Sequence, residues 1–189
     1  MKQNSKTSVD PFKIVSRIKG GVPAPVHLWN PPFCGDIDML IARDGTWYHE
    51  GKPIRRPAMV QLFSSILLRE DKEYFLVTPV EKVRIQVEDC PFLVTQMEIF
   101  QREGRQSIVF TISNEEMVTV DSQHSIEVES MGTGNEPHPI VHVRNGLNAL
   151  INRAVFYRLV EAAEEMELDG ESVLGVWSEG FFFSLGQVE

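Results

Sequence analysis

"LVTPVEKVRIQVEDCPF", residues 76–92, decides how this chain is read. Val83, Ile85 and Val87 alternate with Lys82, Arg84, Gln86 and Glu88, the two-residue period of a strand with one buried face. The opposite face is a row of charges. A polar break, Glu88-Asp89-Cys90-Pro91, follows, and a second apolar strand pattern opens at Phe92. The stretch therefore joins two strand-rich units. The row of charges either meets bulk water or borders a groove where those units come together.

Toward the N-terminus, the spacing predicts a helix beginning at Pro57, where the missing N–H of proline costs nothing. Met59, Leu62, Phe63, Ile66 and Leu67 make its apolar stripe. Before it, Ile37, Met39 and Ile41 alternate along a strand that turns at Asp44-Gly45 and returns through Thr46 to His49, a hairpin pattern. Residues 1–27 read as an extended lead-in, with a short mixed segment at Phe12–Val15 and then the proline-rich "GGVPAPVHLWNPP". Trp29 and Phe33 are the residues expected to pin it.

Toward the C-terminus, strands are expected over Tyr74–Thr78, Phe92–Gln101, Ser107–Ser113, around Val118 and Val120, around Ile126 and Val128, and over Ile140–Arg144. "MGTGNEPHP", residues 131–139, reads as a loop. A long helix is expected over 147–167, with Leu147, Leu150, Ile151, Ala154 and Tyr157 inward. "VWSEGFFF" closes the chain as a hairpin turning at Glu179-Gly180. The fold class expected is α+β, with antiparallel sheets and one main helix in each unit: 28–90 first, 91–189 second.

The charge narrows the partners. Residues 1–95 hold 13 Lys and Arg against 11 Asp and Glu, whereas residues 96–189 hold 5 against 16, so the acidity lies in the second half. Gripping a phosphate backbone needs clustered cations, so nucleic acid is excluded as a partner for that half, and an anionic membrane surface with it. The start is polar and the apolar runs are short, so neither a secretory signal nor a membrane span is expected, and the cytoplasm is the default. Cys34 and Cys90 are the only cysteines and read as small, partly buried thiols.

Few residues offer chemistry. Asp36 and Asp38 share a strand face and are a candidate metal pair or acid–base pair, although an acidic strand edge explains them as well. The five histidines lack ligand spacing: His138 and His142 are four apart, but in a proline-flanked extended stretch. Neither metal nor cofactor is expected. Ser64, Ser65 and Ser178 lie outside any nucleophile-elbow frame, and "GTG" at 132–134 is too short to cradle a phosphate. The scarce cations are more informative. Arg43, Lys52, Arg55 and Arg56 gather at the first hairpin and the first helix start, where free N–H groups favour an anion. Lys82 and Arg84 share a strand face with Glu81 and Thr78 nearby. On the expected second helix, Asn148 and Asn152 fall on one face beside Arg153, and asparagine is a poor helix former that asks for a reason there.

"CGDIDMLIARDGTWYHEGKPIRRPAMVQLFSSILLRED", "LVTPVEKVRIQVEDCPF", "GLNALINRAVFYRLVEAA" and "LGVWSEGFFFSLG" resemble, in order, the signature stretches of an uncharacterised bacterial family of unknown function, DUF1285. The likeness runs from about Trp29 onward and weakens between Gln101 and Pro139. It implies two related β-rich subdomains, the second like a pleckstrin-homology barrel, a cleft between them for a nucleotide-like ligand, and a role in signalling without enzymatic activity. The leading expectation is thus a non-catalytic module binding a small anion on a ledge of Thr78, Glu81, Lys82, Arg84, Arg55, Arg56, Asn148, Asn152 and Arg153, with Asp36 and Asp38 beside it. An interaction adaptor is the alternative, taking a protein partner or a second copy of the chain through Trp177, Phe181, Phe182 and Phe183. A metal-dependent enzyme using Asp36 and Asp38 is the third reading.

Overall fold

A computed structural model describes residues 23–131, 136–168 and 170–187. Phe12–Val15 and the "GTG" of 132–134 lie outside the described residues. The chain divides into two compact units: residues up to 42 together with 46–88, and Arg43–Gly45 together with 89 onward.

The first unit is a six-stranded sheet in the order β3-β2-β1-β6-β5-β4. Its strands are β1 (Phe33–Ile41), β2 (Trp47–His49), β3 (Lys52–Pro53), β4 (Leu67–Glu70), β5 (Glu73–Val77) and β6 (Lys82–Val87). β1 and β6 run parallel at the centre, and every other neighbouring pair is antiparallel. The alternation sorts as expected: Met39, Ile41, Val83 and Ile85 are buried. The loop between β1 and β2 is wider than a two-residue turn, because the N–H of Ala42 donates to the carbonyl of Thr46 and, of Asp44 and Gly45, only Gly45 takes a positive φ. α1 (Pro57–Ser65) begins at the expected proline and lays Phe63 flat on Trp47, with ring centroids 5.9 Å apart. It stops earlier than the apolar stripe suggests, since Leu67 already belongs to β4. Val26 is buried in this unit, whereas Phe33 is exposed.

The second unit contains β7 (Phe92–Arg102), β8 (Arg105–Ile112), β9 (Met117–Thr119), β10 (Ile126–Met131), β11 (Glu136–Arg144) and β12 (Leu147–Ile151), ordered β10-β11-β12-β7-β8-β9. Again the two central strands, β7 and β12, are parallel and flanked by antiparallel pairs. Each unit therefore winds three strands outward from the centre of its sheet and three back in. α2 (Arg153–Glu161) follows, and β13 (Glu164–Leu168), β14 (Glu171–Ser178) and β15 (Phe181–Gln187) form a separate antiparallel sheet. The architecture is α+β with two β-rich units and, among the described residues, one α-helix in each.

Three expectations are corrected. The helix over 147–167 is a strand, a nine-residue helix and another strand. Asn145 and Gly146 both have positive φ, so they make the tight turn between β11 and β12, and Leu147–Ile151 returns as the second arm. The loop over 131–139 is replaced from residue 136 on by β11, with Pro137 paired to Ser130 and Pro139 to Val128. The pleckstrin-homology barrel is absent among the described residues: both six-stranded sheets are open, ending at β3 and β4 in one and at β9 and β10 in the other. The closing hairpin is as expected, with Glu179 and Gly180 both at positive φ.

Candidate functional site

The row of charges on β6 is engaged in ion pairs. Arg84 lies opposite Asp36 in the β1–β6 register, and its planar fork donates to both carboxylate oxygens, Nε at 2.7 Å and Nη2 at 3.0 Å. A further Nη1–H donates to Glu73, and the guanidinium stands 5.9 Å from the Phe33 ring centroid. These hydrogen bonds from Arg84 hold the Asp36 carboxyl below its usual range, and the two carboxylates make Arg84 still harder to deprotonate. Lys82 donates to Glu70 and rides 4.3 Å above the Phe75 ring. Asp36 thus faces Arg84, while Asp38 is exposed on the same strand. Arg84 borders an open depression of about 570 Å³ that also holds Asp36, Glu73, Glu88 and Lys72, so three carboxylates there outnumber two cations. Thr78 is buried and closes a turn: its Oγ1 accepts from the N–H of Val80 at 3.3 Å and of Glu81 at 3.0 Å.

Arg55 and Arg56 lie at the start of α1, with Lys52, around a second depression of about 500 Å³. It shares no lining residue with the depression at Arg84.

In the second unit, the asparagine question has a structural answer. Asn148 is a strand residue of β12 opposite His142, so it shares no helix face with Asn152. Asn152 is the N-cap of α2, and its Oδ1 accepts the N–H of Val155 at 2.8 Å. Replacing Asn152 by alanine is expected to cost about 1 kcal/mol, and replacing it by aspartate very little. Urea midpoints of the two variants test this, with Asn148→Ala as a companion expected to stay within about 0.5 kcal/mol.

The same helix start forms one wall of a pocket of about 440 Å³. Leu150, Pro139, Phe156 and Tyr157 give it apolar sides, Arg43 and Arg153 supply guanidinium groups, and Glu136 adds one carboxylate. Arg153 sits at the first turn of α2. Its Nε donates to the Tyr157 hydroxyl at 2.8 Å, and its guanidinium lies 5.4 Å from that ring centroid. Among the described residues, no carboxylate pairs with Arg153. Arg43, in contrast, reaches the Asp89 carboxylate, with Nε 3.1 Å from Oδ2. Of the sequence candidates, the pocket unites Asn152, Arg153 and Arg43, and the fold adds Phe156 and Tyr157, which no local pattern marks as pocket residues.

Among the aromatics of the closing hairpin, Phe183 is buried, Phe182 packs edge-on to Trp177 at 5.3 Å, and Phe181 and Trp177 are exposed. Cys90 is buried and Cys34 exposed. Among the described residues, no helix is long and apolar enough to cross a membrane.

Comparison with known proteins accords with this architecture. Residues 24–90 match the N-terminal domain of unknown function DUF1285, and residues 91–185 match the C-terminal domain of the same family. No curated protein matches the chain. The crystal structure of a DUF1285 family protein from Silicibacter pomeroyi DSS-3 is similar at 47% identity and a TM-score of 0.86, over 96% of this chain and 97% of that one. A DUF1285 family protein from Shewanella baltica OS155 is 28% identical, with a TM-score of 0.52, over 66% of this chain and 91% of that one. With both domains matched in order along nearly the whole described chain, the protein belongs to the DUF1285 family.

Proposed function

We propose that the protein is a non-catalytic binding module for a small anion of nucleotide type, seated in the pocket at the start of α2. The observation that carries this reading is Arg153: an arginine without a carboxylate partner, lining a pocket whose other walls are mainly apolar. Such a pocket fits the general form of a ligand site, in which hydrophobic walls supply contact and a few fixed polar groups supply orientation. A guanidinium offers a planar pair of donors to phosphate oxygens, and the faces of Phe156 and Tyr157 suit stacking on a flat ring. The overall charge of −9 does not prevent this, since the potential in a pocket is set by its walls. The pocket's donors are suited to holding charge, which favours reversible binding and a sensing role, the class to which the sequence resemblance points.

The test is thermal melting of the full chain against a panel of nucleoside mono-, di- and cyclic phosphates. A fitting ligand at about 100 times its Kd contributes about 2.7 kcal/mol, expected to raise the midpoint by roughly 5–10 °C. Arg153→Ala is expected to remove that shift, and Arg55→Ala to leave it intact. A shift lost only in Arg55→Ala, or no shift across the panel at millimolar concentration, overturns the proposal.

A further inference from the structure

Asp89, Cys90 and His138 are far apart in sequence and converge in the second unit. Bends at residues 88–91 bring Asp89 to the buried His138 of β11 and set Cys90 against Ile140 and Leu150. Asp89 Oδ1 is 2.8 Å from His138 Nε2 and 3.5 Å from Cys90 Sγ, and one ligand atom from each of the three residues lies within 4.8 Å of the others. The side chains of His138 and Asp89 are only 8% and 10% exposed.

From this geometry we infer a site for one borderline-soft divalent cation of the zinc class, held by the Asp89 carboxylate, the Cys90 thiolate and Nε2 of His138, with the fourth position open to an outside ligand. Two independent features carry the inference. The first is spacing. Around a tetrahedral zinc ion with ordinary bond lengths, neighbouring oxygen and sulfur ligands stand about 3.5 Å apart, and oxygen and nitrogen about 3.3 Å. The oxygen–sulfur distance already has that value. The oxygen–nitrogen distance is that of a hydrogen bond, and an ion replacing the shared proton spreads it by about 0.5 Å.

The second feature is a polar atom left over. Nδ1 of His138 is buried without a hydrogen-bond partner. A histidine kept only to rivet a strand satisfies both nitrogens, because a buried polar atom without a partner costs free energy. Nδ1 is therefore available to hold the ring proton once the ion takes Nε2, so the imidazole stays neutral by a change of tautomer and no other group has to accept that proton. The ligand types are also those zinc selects, nitrogen and sulfur with one carboxylate oxygen. Arg43 completes the arrangement by standing against the other carboxylate oxygen, which fixes the one turned toward His138 and Cys90. On binding, the thiol proton passes to solvent, and the ion's two charges balance one thiolate and one carboxylate. The site is independent of the proposed anion function, although Arg43 touches both places.

The experiment uses the full, untagged chain stripped with chelator and titrated with zinc chloride by calorimetry, then with cobalt chloride by absorbance. One equivalent of zinc is expected, together with a raised melting midpoint and a thiolate-to-cobalt charge-transfer band. Cys90→Ser, a one-atom change that spares the packing, and His138→Gln are each expected to weaken zinc binding by about 100-fold or more. Cys34→Ser should leave it unchanged. The inference is overturned by an absence of binding in the intact chain, by affinity that survives Cys90→Ser, or by a cobalt spectrum lacking the thiolate band.

Discussion

A single methyl group added at Gly175 is expected to destabilise the fold by about 3 kcal/mol, lowering the melting midpoint of the full chain by roughly 6–12 °C. Gly175 lies in β14, the middle strand of the three-stranded sheet, paired with Glu164 on one side and Ser184 on the other. A Cβ built there would stand 2.4 Å from Cζ of Phe182 and 2.5 Å from the carbonyl oxygen of Phe183. The Phe182 ring can swing aside at some loss of its contact with Trp177. The carbonyl oxygen belongs to β15, the neighbouring strand, and can move only with that strand. Overpacking against backbone cannot be absorbed by a rotamer change, so the cost falls on the sheet. Thermal and denaturant unfolding of Gly175→Ala tests this, and the same change in a Phe182→Ala background separates ring from carbonyl. A substantial penalty should persist there; a neutral Gly175→Ala would refute the β14–β15 packing.

That glycine also shows what a sequence can and cannot disclose. The closing hairpin was legible because its signals are local: Glu179-Gly180 supplies two positive φ values between two apolar arms. Asn145-Gly146 carries the same signal, yet the apolar residues after it were assigned to a long helix. In Leu147–Ile151, "LNALI", a buried strand is apolar at nearly every position, and a short run of that kind does not distinguish the two periods. The Asn145-Gly146 turn and the Asn152 cap mark where that strand begins and ends. The glycine at 175, by contrast, matters because of which ring and which carbonyl lie against it, and a non-local contact leaves no mark in the local pattern.

The candidate sites divide in the same way. Whether an arginine such as Arg84 is free or already bound depends on its neighbour across the sheet, and that neighbour is Asp36, 48 residues away. Arg153 stands beside Asn152 in the sequence, but the walls of its pocket come from β7, β11, β12 and α2 together, with Arg43, and spacing does not assemble them. Asp89 and His138 lie 49 positions apart, beyond any short ligand motif, and meet through the bends at 88–91 and the strand that replaces the expected loop. The sequence is most readable where a few adjacent residues determine an outcome, as in turns, caps and alternation.

Ser178→Ala is expected to cost the second unit about 2–6 kcal/mol, since it leaves two buried backbone groups without their partner at about 1–3 kcal/mol each. Ser178 lies outside any nucleophile-elbow frame, and its contacts are structural. Its hydroxyl is completely buried, donates to the carbonyl of Val120 at 2.6 Å and accepts the N–H of Ile108 at 2.9 Å. The hydroxyl therefore rivets the end of β14 to β8 and to the chain just after β9. Gln106 reinforces the seam, its side chain donating to the Trp177 carbonyl at 2.7 Å and its own carbonyl accepting the Glu179 N–H at 2.9 Å. Alanine keeps the volume within one atom, so the loss is almost wholly one of hydrogen bonding. Ser172, half-buried on the same strand with its hydroxyl on Glu165, is the matched comparison; Ser172→Ala should stay within about 0.5 kcal/mol. Urea midpoints give the two energies, and hydrogen exchange at the Ile108 amide localises the larger one. Equal midpoints for the two variants would mean that β14 is held to β8 by packing alone; faster exchange at Ile108, with a lowered midpoint only for Ser178→Ala, identifies the hydroxyl as the tie between the two sheets.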